Sequence, residues 1–172
     1  MKQSKKRPTW RASGEYGAAW GSAIHNLLEI KMKQPECELN SFARQFAHQF
    51  DLGANRVEEL LASVNSVVES DIWARAKRSS KIYTEIPFES LDSSAAIPTV
   101  TRGVIDLCFQ ESDGWVIVDY KTDDISEADL ENATDFYSPQ LKTYGEFWQN
   151  ITGSPLAELG LYFTKIDSYA IC

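Results

Sequence analysis

Two apolar, β-branched segments separated by a short polar turn constrain the fold of this chain more than any other feature. Residues 100–110 and 115–121 are rich in Val, Ile, Leu and Phe. Glu111-Ser112-Asp113-Gly114 between them has the composition of a tight hairpin turn, with Gly where a positive φ is expected. A third segment of this kind, residues 81–89, comes before them. Three such strands in succession predict an antiparallel meander.

The first 80 residues have helical rather than strand periodicity. Apolar side chains recur every three or four positions in three separate segments. We predict helices over residues 16–32, 40–50 and 55–77. Gly14 and Gly17 open the first helix, and Asn40 and Asn55 are the expected N-caps of the other two.

A helix and a further strand are expected after the meander. Helical periodicity covers residues 135–150, and a last apolar strand covers residues 156–164, with Thr152-Gly153-Ser154-Pro155 between them. A helix that joins two strands of one sheet is typical of α/β proteins with a mixed sheet. The predicted fold class is therefore α/β, with a mixed central sheet flanked by helices and an N-terminal helical segment.

The size and cysteine content of the chain indicate one reduced domain. Its 172 residues, 43% of them hydrophobic, are enough for one core, so residues 1–172 are expected to form a single domain. Residues 1–15 are predicted as a flexible basic arm. Three scattered cysteines support neither a disulfide framework nor a Cys-x-x-Cys metal site. With no signal-peptide stretch and no apolar run of membrane-spanning length, we expect a cytoplasmic protein without a membrane partner.

The net charge of −8 is unfavourable for a protein that binds nucleic acid by itself. Affinity for nucleic acid comes largely from Lys and Arg side chains that neutralise phosphates. The basic residues cluster at positions 2–11 and 75–81, and each cluster is equally typical of an ordinary solvated surface. The charge balance therefore predicts a module that receives its substrate from a larger machine.

Side-chain alternation along the strands predicts where the acidic residues meet. Asp119 and Lys121 are two positions apart and share one strand face. On the preceding strand, Ile105 and Leu107 are expected opposite to Asp106, which would place that carboxylate in an apolar run near Asp119. Buried carboxylates are costly unless they are paired or bind a metal. The trio therefore predicts a metal site, or else a salt bridge between the lysine and the aspartates.

These residue types suit divalent-metal hydrolysis of a phosphodiester. Mg²⁺ and Mn²⁺ prefer oxygen ligands and usually take one or two carboxylates together with substrate phosphate. Asp106 and Asp119 would supply the carboxylates, and the backbone carbonyl of Tyr120 a further oxygen. Lys121 would orient the attacking water or stabilise charge on the phosphoryl oxygens.

Four other residues are candidates for the same site. His25 lies in the first predicted helix and is a candidate metal ligand, although a lone helix histidine is more often a surface or core residue. Glu85 lies in the first strand, where a supporting role and simple solvent exposure are about equally expected. Gln140 and Tyr144 share a helix face and could contact phosphate or a metal ligand, or form a plain solvent face.

Four motifs follow one another along the chain: Gly21-x-x-x-His25, Gly103-x-x-Asp106-Leu107, Asp119-Tyr120-Lys121-Thr122 and Gln140-x-x-x-Tyr144. In this order they resemble the PD-(D/E)XK nuclease superfamily. More narrowly, they resemble the C-terminal nuclease domain of RecB and AddA helicase-nucleases, over roughly residues 16–164. The resemblance implies a restriction-endonuclease-like fold and Mg²⁺-dependent DNA cleavage. It also implies metal binding by His25, Asp106 and Asp119, and a catalytic Lys121.

The resemblance also sets expectations about cofactors and partners. Some relatives carry an iron–sulfur cluster on four cysteines, which three scattered cysteines argue against here. No Gly-x-x-x-x-Gly-Lys-Ser/Thr loop is present, so ATPase activity would come from a helicase domain or subunit. We expect an exonuclease in DNA recombination and double-strand-break repair. The alternatives are a catalytically silent DNA-binding or assembly domain and a sequence-specific endonuclease.

Overall fold

The computed structural model describes residues 17–92 and 99–172. The predicted basic arm, residues 1–15, lies outside these ranges. The elements of the described residues are α1 (Ala18–Lys33), α2 (Asn40–Gln49), α3 (Val57–Glu69), α4 (Asp71–Arg78), β1 (Ile82–Asp92), β2 (Thr99–Gln110), β3 (Trp115–Lys121), α5 (Leu130–Thr152), β4 (Leu156–Phe163) and β5 (Ser168–Ile171). Short 3₁₀ turns, Ala54–Arg56 and Glu127–Asp129, precede α3 and α5.

A five-stranded mixed sheet forms the centre of the described fold, which confirms the predicted α/β class. The strands lie in the order β1-β2-β3-β4-β5. The first three strands form the predicted antiparallel meander. The crossover through α5 makes β4 parallel to β3, and β5 pairs antiparallel with β4.

Helices cover both faces of the sheet and divide the core into two clusters. Val116, Val118 and Tyr120 of β3 pack with α1 to α4. Trp115 and Ile117 of the same strand pack with α5. Alternate residues of β3 thus point into opposite cores, as the sequence predicted, and the strand is buried on both faces.

The predicted third helix is wrong, because residues 55–77 form two helices. Ser70 ends α3 and caps α4, with its hydroxyl accepting a hydrogen bond from the Trp73 backbone N–H. The predicted caps are wrong as well, since Asn40 is the first residue inside α2 and Asn55 lies in a 3₁₀ turn. The chain therefore changes direction at Ser70 instead of continuing as one straight rod.

Other elements also differ from the sequence prediction. α5 begins at Leu130, after a capping box in which Ser126 and Asp129 bond to each other reciprocally. β1 continues to Asp92, beyond the predicted end of that strand at residue 89. Strand β5 was not predicted, since four residues after a turn carry too short a pattern.

The predicted geometry around Asp106 is wrong in an informative way. Ile105 packs in the α5 cluster, whereas Leu107 packs in the cluster of α1 to α4. Two residues that should share a strand face therefore lie on opposite faces. On the neighbouring strand Glu85 has a φ of 50°, which is rare for a residue other than glycine, and no backbone pair joins it to Asp106. At Glu85 and Asp106, the alternation of side chains between the two faces of the sheet is therefore reversed in both strands.

Candidate active site

An opening between β2 and β3 forms the framework of the site. Pairing between the two strands stops at Leu107 and Val118, whereas β3 continues to pair with β4 as far as Lys121. Beyond this point the Tyr120 backbone N–H donates to Asp106 Oδ2 at 2.7 Å, in place of a backbone carbonyl. The side chain of Asp106, 6% exposed, therefore occupies the space where the ladder ends.

Helix α1 brings a histidine to this opening. Gly21 lies against the chain just after β3, where an added Cβ would stand 2.9 Å from Thr122 Oγ1. Only glycine allows this approach without a shift of the helix or the threonine. His25 follows one turn later, with its Nε2 3.1 Å from the Tyr120 carbonyl oxygen.

The other nitrogen of His25 faces two carboxylates. Its Nδ1 lies 3.4 Å from Asp106 Oδ1 and 3.6 Å from Glu85 Oε1. Burial of the imidazole opposes its charge, but the charges and hydrogen bonds of Asp106 and Glu85 outweigh burial and raise its pKa well above the usual value. The surroundings thus favour the charged imidazole beside two carboxylates that lie close together.

The donor set of this group suits a hard divalent cation. Ligand atoms of His25, Glu85 and Asp106, the ligand cluster, all lie within 4.8 Å of one another. Two carboxylates and one imidazole, with a main-chain carbonyl beside them, form the mixed oxygen-rich set that Mg²⁺ or Mn²⁺ accepts. The strained Glu85 thus belongs to the group of potential ligands rather than standing exposed on its strand.

Asp119 and Lys121 form the second half of the site. Lys121 Nζ lies 2.6 Å from Asp119 Oδ2, as their shared strand face predicted. The contact is ionic rather than a well-aligned hydrogen bond, so this buried oxygen lacks a hydrogen-bond partner among the described residues. Burial first, and then the charge of Asp106, raise the pKa of Asp119 despite the opposing effect of Lys121.

The structure therefore brings the predicted residues to one place but not into one ligand set. Among the described residues, Asp119 is not a member of the group of close ligand atoms. Its carboxylate contacts Lys121. The predicted metal-binding role of Asp119 remains a prediction. So does that of the Tyr120 carbonyl, which faces His25.

Helix α5 provides the predicted supporting pair. Gln140 Oε1 accepts a hydrogen bond from Lys121 Nζ at 3.1 Å, and the Gln140 amide donates to the Tyr144 hydroxyl. Burial, and next the charge of Asp119, raise the pKa of Tyr144 to about 12. The Tyr144 ring packs edge-on against Phe88 and lies over Gly103, where an added Cβ would collide with both rings. This explains the glycine three residues before Asp106.

The sequence prediction missed two residues at the site. The Tyr137 ring lies under the Lys121 ammonium, with 4.1 Å between Nζ and the ring centroid. The Tyr137 hydroxyl donates to Asp123 Oδ2 at 2.7 Å. A signal was available in the helical spacing, since Tyr137 lies one turn before Gln140 on the same side of α5.

The basic cluster at residues 75–81 lies away from the site. Arg75 makes a two-point ion pair with Glu111, at 3.0 and 2.8 Å, and also bonds to Glu158 at 2.9 Å. Glu111 belongs to the β2–β3 turn, at the opposite end of these strands from the opening. Arg75, the first basic residue of this cluster, therefore serves an internal ion-pair network.

A mixed sheet with carboxylates and a lysine gathered where two strands separate defines a nuclease type of fold. The chain belongs to the PD-(D/E)XK nuclease superfamily, whose family model matches residues 3–169. This confirms the resemblance drawn from the four motifs. Among the described residues, no helix has both the length and the apolar character needed to span a membrane.

Several proteins that are similar to this chain share one name. The chain is 30% identical over 166 residues to an ATP-dependent helicase/nuclease subunit from Alkaliphilus metalliredigens, a match that covers 86% of this chain and 14% of that protein. The protein of the same name from Clostridium acetobutylicum is 26% identical over 162 residues, covering 83% and 13%. In Thermoanaerobacter sp. the values are 34% over 106 residues, covering 61% and 8%. The chain thus spans about one seventh or less of these relatives.

Proposed function

We propose that this domain is a Mg²⁺-dependent DNA nuclease that hydrolyses phosphodiester bonds as an exonuclease. The observation that supports this proposal best is the ligand cluster beside the Asp119–Lys121 pair. Five ionisable groups meet at one opening of the sheet, and two of them have pKa values raised by their surroundings. Perturbed ionisable groups that converge in this way are typical of catalytic sites.

The ligand cluster would hold the divalent cation. When bound, Mg²⁺ or Mn²⁺ lowers the pKa of a coordinated water and stabilises charge on phosphoryl oxygens. Asp106 is suited to this role because its Oδ2 is fixed by the Tyr120 N–H, which leaves Oδ1 directed toward His25. The backbone bond fixes the carboxylate before any ligand arrives.

Lys121 would act on the reacting groups themselves. Its ammonium is held between a carboxylate, an amide oxygen and an aromatic ring at the opening. A cation in that position can orient the attacking water and stabilise the negative charge that develops on phosphate. Gln140 and Tyr144 would hold Lys121 in place or contact the DNA backbone.

We further propose that a helicase supplies the DNA. The relatives are helicase/nuclease subunits by name, and the chain matches only a small part of each. The net charge of −8 gives the domain little phosphate affinity of its own. In this account the domain works in the cytoplasm with an ATP-dependent helicase, in recombination and double-strand-break repair.

A cleavage assay with end-labelled linear DNA and circular DNA tests the proposal. The purified chain with Mg²⁺ or Mn²⁺ should degrade linear DNA from its ends and leave circles intact, and chelation should stop it. Asp106→Asn should remove activity. Asp113→Asn, which changes an exposed aspartate on the β2–β3 turn, is the matched control and should keep it.

Three results would overturn parts of this proposal. Metal-independent DNA binding without cleavage would support the catalytically silent domain instead. Discrete fragments from circular DNA would support a sequence-specific endonuclease. Full activity in Asp106→Asn would contradict the assigned metal site.

A further inference from the structure

Lys121 has one partner that does not belong to the family motifs. Asp119 and Gln140 contact its ammonium from two directions, and the Tyr137 ring lies 4.1 Å from Nζ on a third. A cation this close to an aromatic face is attracted by the negative face of the ring. The side chain of Lys121 is 12% exposed, so water screens this attraction only in part.

The Tyr137 ring is itself held in place. Its hydroxyl donates to Asp123 Oδ2 at 2.7 Å, and its edge packs at 86° against Phe136, with 5.0 Å between the ring centroids. Asp123 lies two residues after Lys121, in the segment that leaves β3. The hydrogen bond therefore ties the chain that carries the lysine to the helix that carries the ring.

The partners of Lys121 differ in whether they can hold its ammonium while a metal is bound. Asp119 is a predicted metal ligand, and a carboxylate that binds a cation has less charge to offer the lysine. Gln140 offers a neutral oxygen. The Tyr137 ring offers an uncharged aromatic face, which is not a ligand for Mg²⁺. It can hold the ammonium whether or not Asp119 is engaged elsewhere.

We propose that Tyr137, fixed by Asp123, is a positioning residue that directs Lys121 toward the scissile phosphate. This inference rests on the proposed nuclease function, since it assigns Tyr137 a part in the same reaction. Tyr137 acts through Lys121 and does not touch the reacting atoms. Its ring supplies the positioning, and its hydroxyl serves only to fix the ring.

Two substitutions separate the ring from the hydroxyl. Tyr137→Leu removes the aromatic face, and kcat for linear DNA should fall about 3- to 30-fold, which corresponds to a cation–π contact of moderate strength. Tyr137→Phe keeps the ring but loses its hydrogen bond to Asp123, and kcat should fall by a smaller factor, of less than about 3. Asp123→Asn keeps an acceptor for the Tyr137 hydroxyl, and kcat should fall by no more than in Tyr137→Phe. KM for DNA and the affinity for Mn²⁺ should be unchanged in all three variants.

An NMR measurement reads the contact without any cleavage. The ε-methylene protons of Lys121, assigned with Lys121→Arg, should show an upfield ring-current shift that persists in Tyr137→Phe and disappears in Tyr137→Leu. If Tyr137→Leu loses the shift but keeps the kcat of wild type, the positioning role is overturned and the nuclease function remains intact. A parallel loss of Mn²⁺ affinity in Tyr137→Leu would show a merely structural role and would also overturn it. A wild-type chain that shows the shift but cleaves no DNA would contradict the proposed function and, with it, the role of Tyr137 in cleavage.

Discussion

The two ends of strands β2 and β3 hold similar residues in opposite electrostatic states. At the turn end, Glu111 and Glu158 both bond to Arg75, and Glu158 also accepts from the Tyr169 hydroxyl at 2.6 Å. The hydrogen bond to Arg75 lowers the pKa of Glu111. At the opening, burial and a neighbouring carboxylate raise the pKa of Asp119.

This contrast shows which carboxylates serve the fold and which are available for chemistry. A carboxylate with a lowered pKa has its charge already stabilised by the protein, so folding gains from it. One with a raised pKa is held against its preference, and a bound cation would relieve that cost. The carboxylates at the turn end thus stabilise the sheet, whereas the buried charge of Asp119 at the opening is unfavourable.

The largest effect is expected on DNA cleavage, which should depend on residues at the opening and not on residues at the turn end. Lys121→Ala and Asp119→Ala should each lower the rate of DNA cleavage by at least about 100- to 1000-fold, since each removes a group at the reacting centre. Arg75→Ala at the turn end should keep cleavage within a few-fold, assayed below its unfolding temperature. Near wild-type cleavage by either site variant would show that the opening is not the reacting centre.

The free energy of unfolding should instead depend on Arg75 at the turn end. Arg75→Ala should lower the free energy of unfolding by about 3 kcal/mol, because it leaves two half-buried carboxylates without their cation. Urea titration would measure this. Lys77→Ala, an exposed change in the same helix, should stay within about 0.5 kcal/mol of wild type. Equal stability of the two variants would mean that the network contributes nothing.

Metal should stabilise the opening and leave the turn end unaffected. Mn²⁺ at about 100 times its Kd should raise the free energy of unfolding by about 2.7 kcal/mol. Asp106→Asn should abolish this gain, and the exposed control Asp113→Asn should retain it. A gain that persists in Asp106→Asn would place the cation elsewhere.

A pH dependence is expected of the metal-free protein. Folding raises the pKa of Asp119, so the protonated carboxyl contributes fully to the free energy of unfolding below the unfolded pKa of about 3.9. This contribution is lost as the pH rises through the raised pKa. Relative to Asp119→Asn, wild-type stability should fall by up to about 1.4 kcal/mol per pH unit in that window. Parallel pH profiles for the two proteins would contradict the unfavourable burial of this charge.

Strand periodicity predicted one half of the site correctly and misplaced the other. β3 is regular and buried on both faces, so counting by twos placed Asp119 and Lys121 together. Around Asp106 the same count was wrong, because the backbone of Glu85 adopts a left-handed conformation and the strands reverse their facing. No turn residue in the sequence signals that reversal.

Long-range contacts were the least accessible from sequence. The approach of His25 to Glu85 and Asp106 depends on Gly21 packing at Thr122, which no local pattern reveals. The contact between Tyr137 and Lys121 depends on how α5 crosses the sheet. The break at Ser70 follows from side-chain capping in a segment whose apolar spacing continues unbroken.

A crystal of the chain soaked in Mn²⁺ is the most direct test of the proposed metal site. Anomalous density should lie between the His25 imidazole and the carboxylates of Glu85 and Asp106, at metal–ligand distances. Density at the turn end alone, or a soaked crystal in which His25 still bonds only to protein groups, would contradict it.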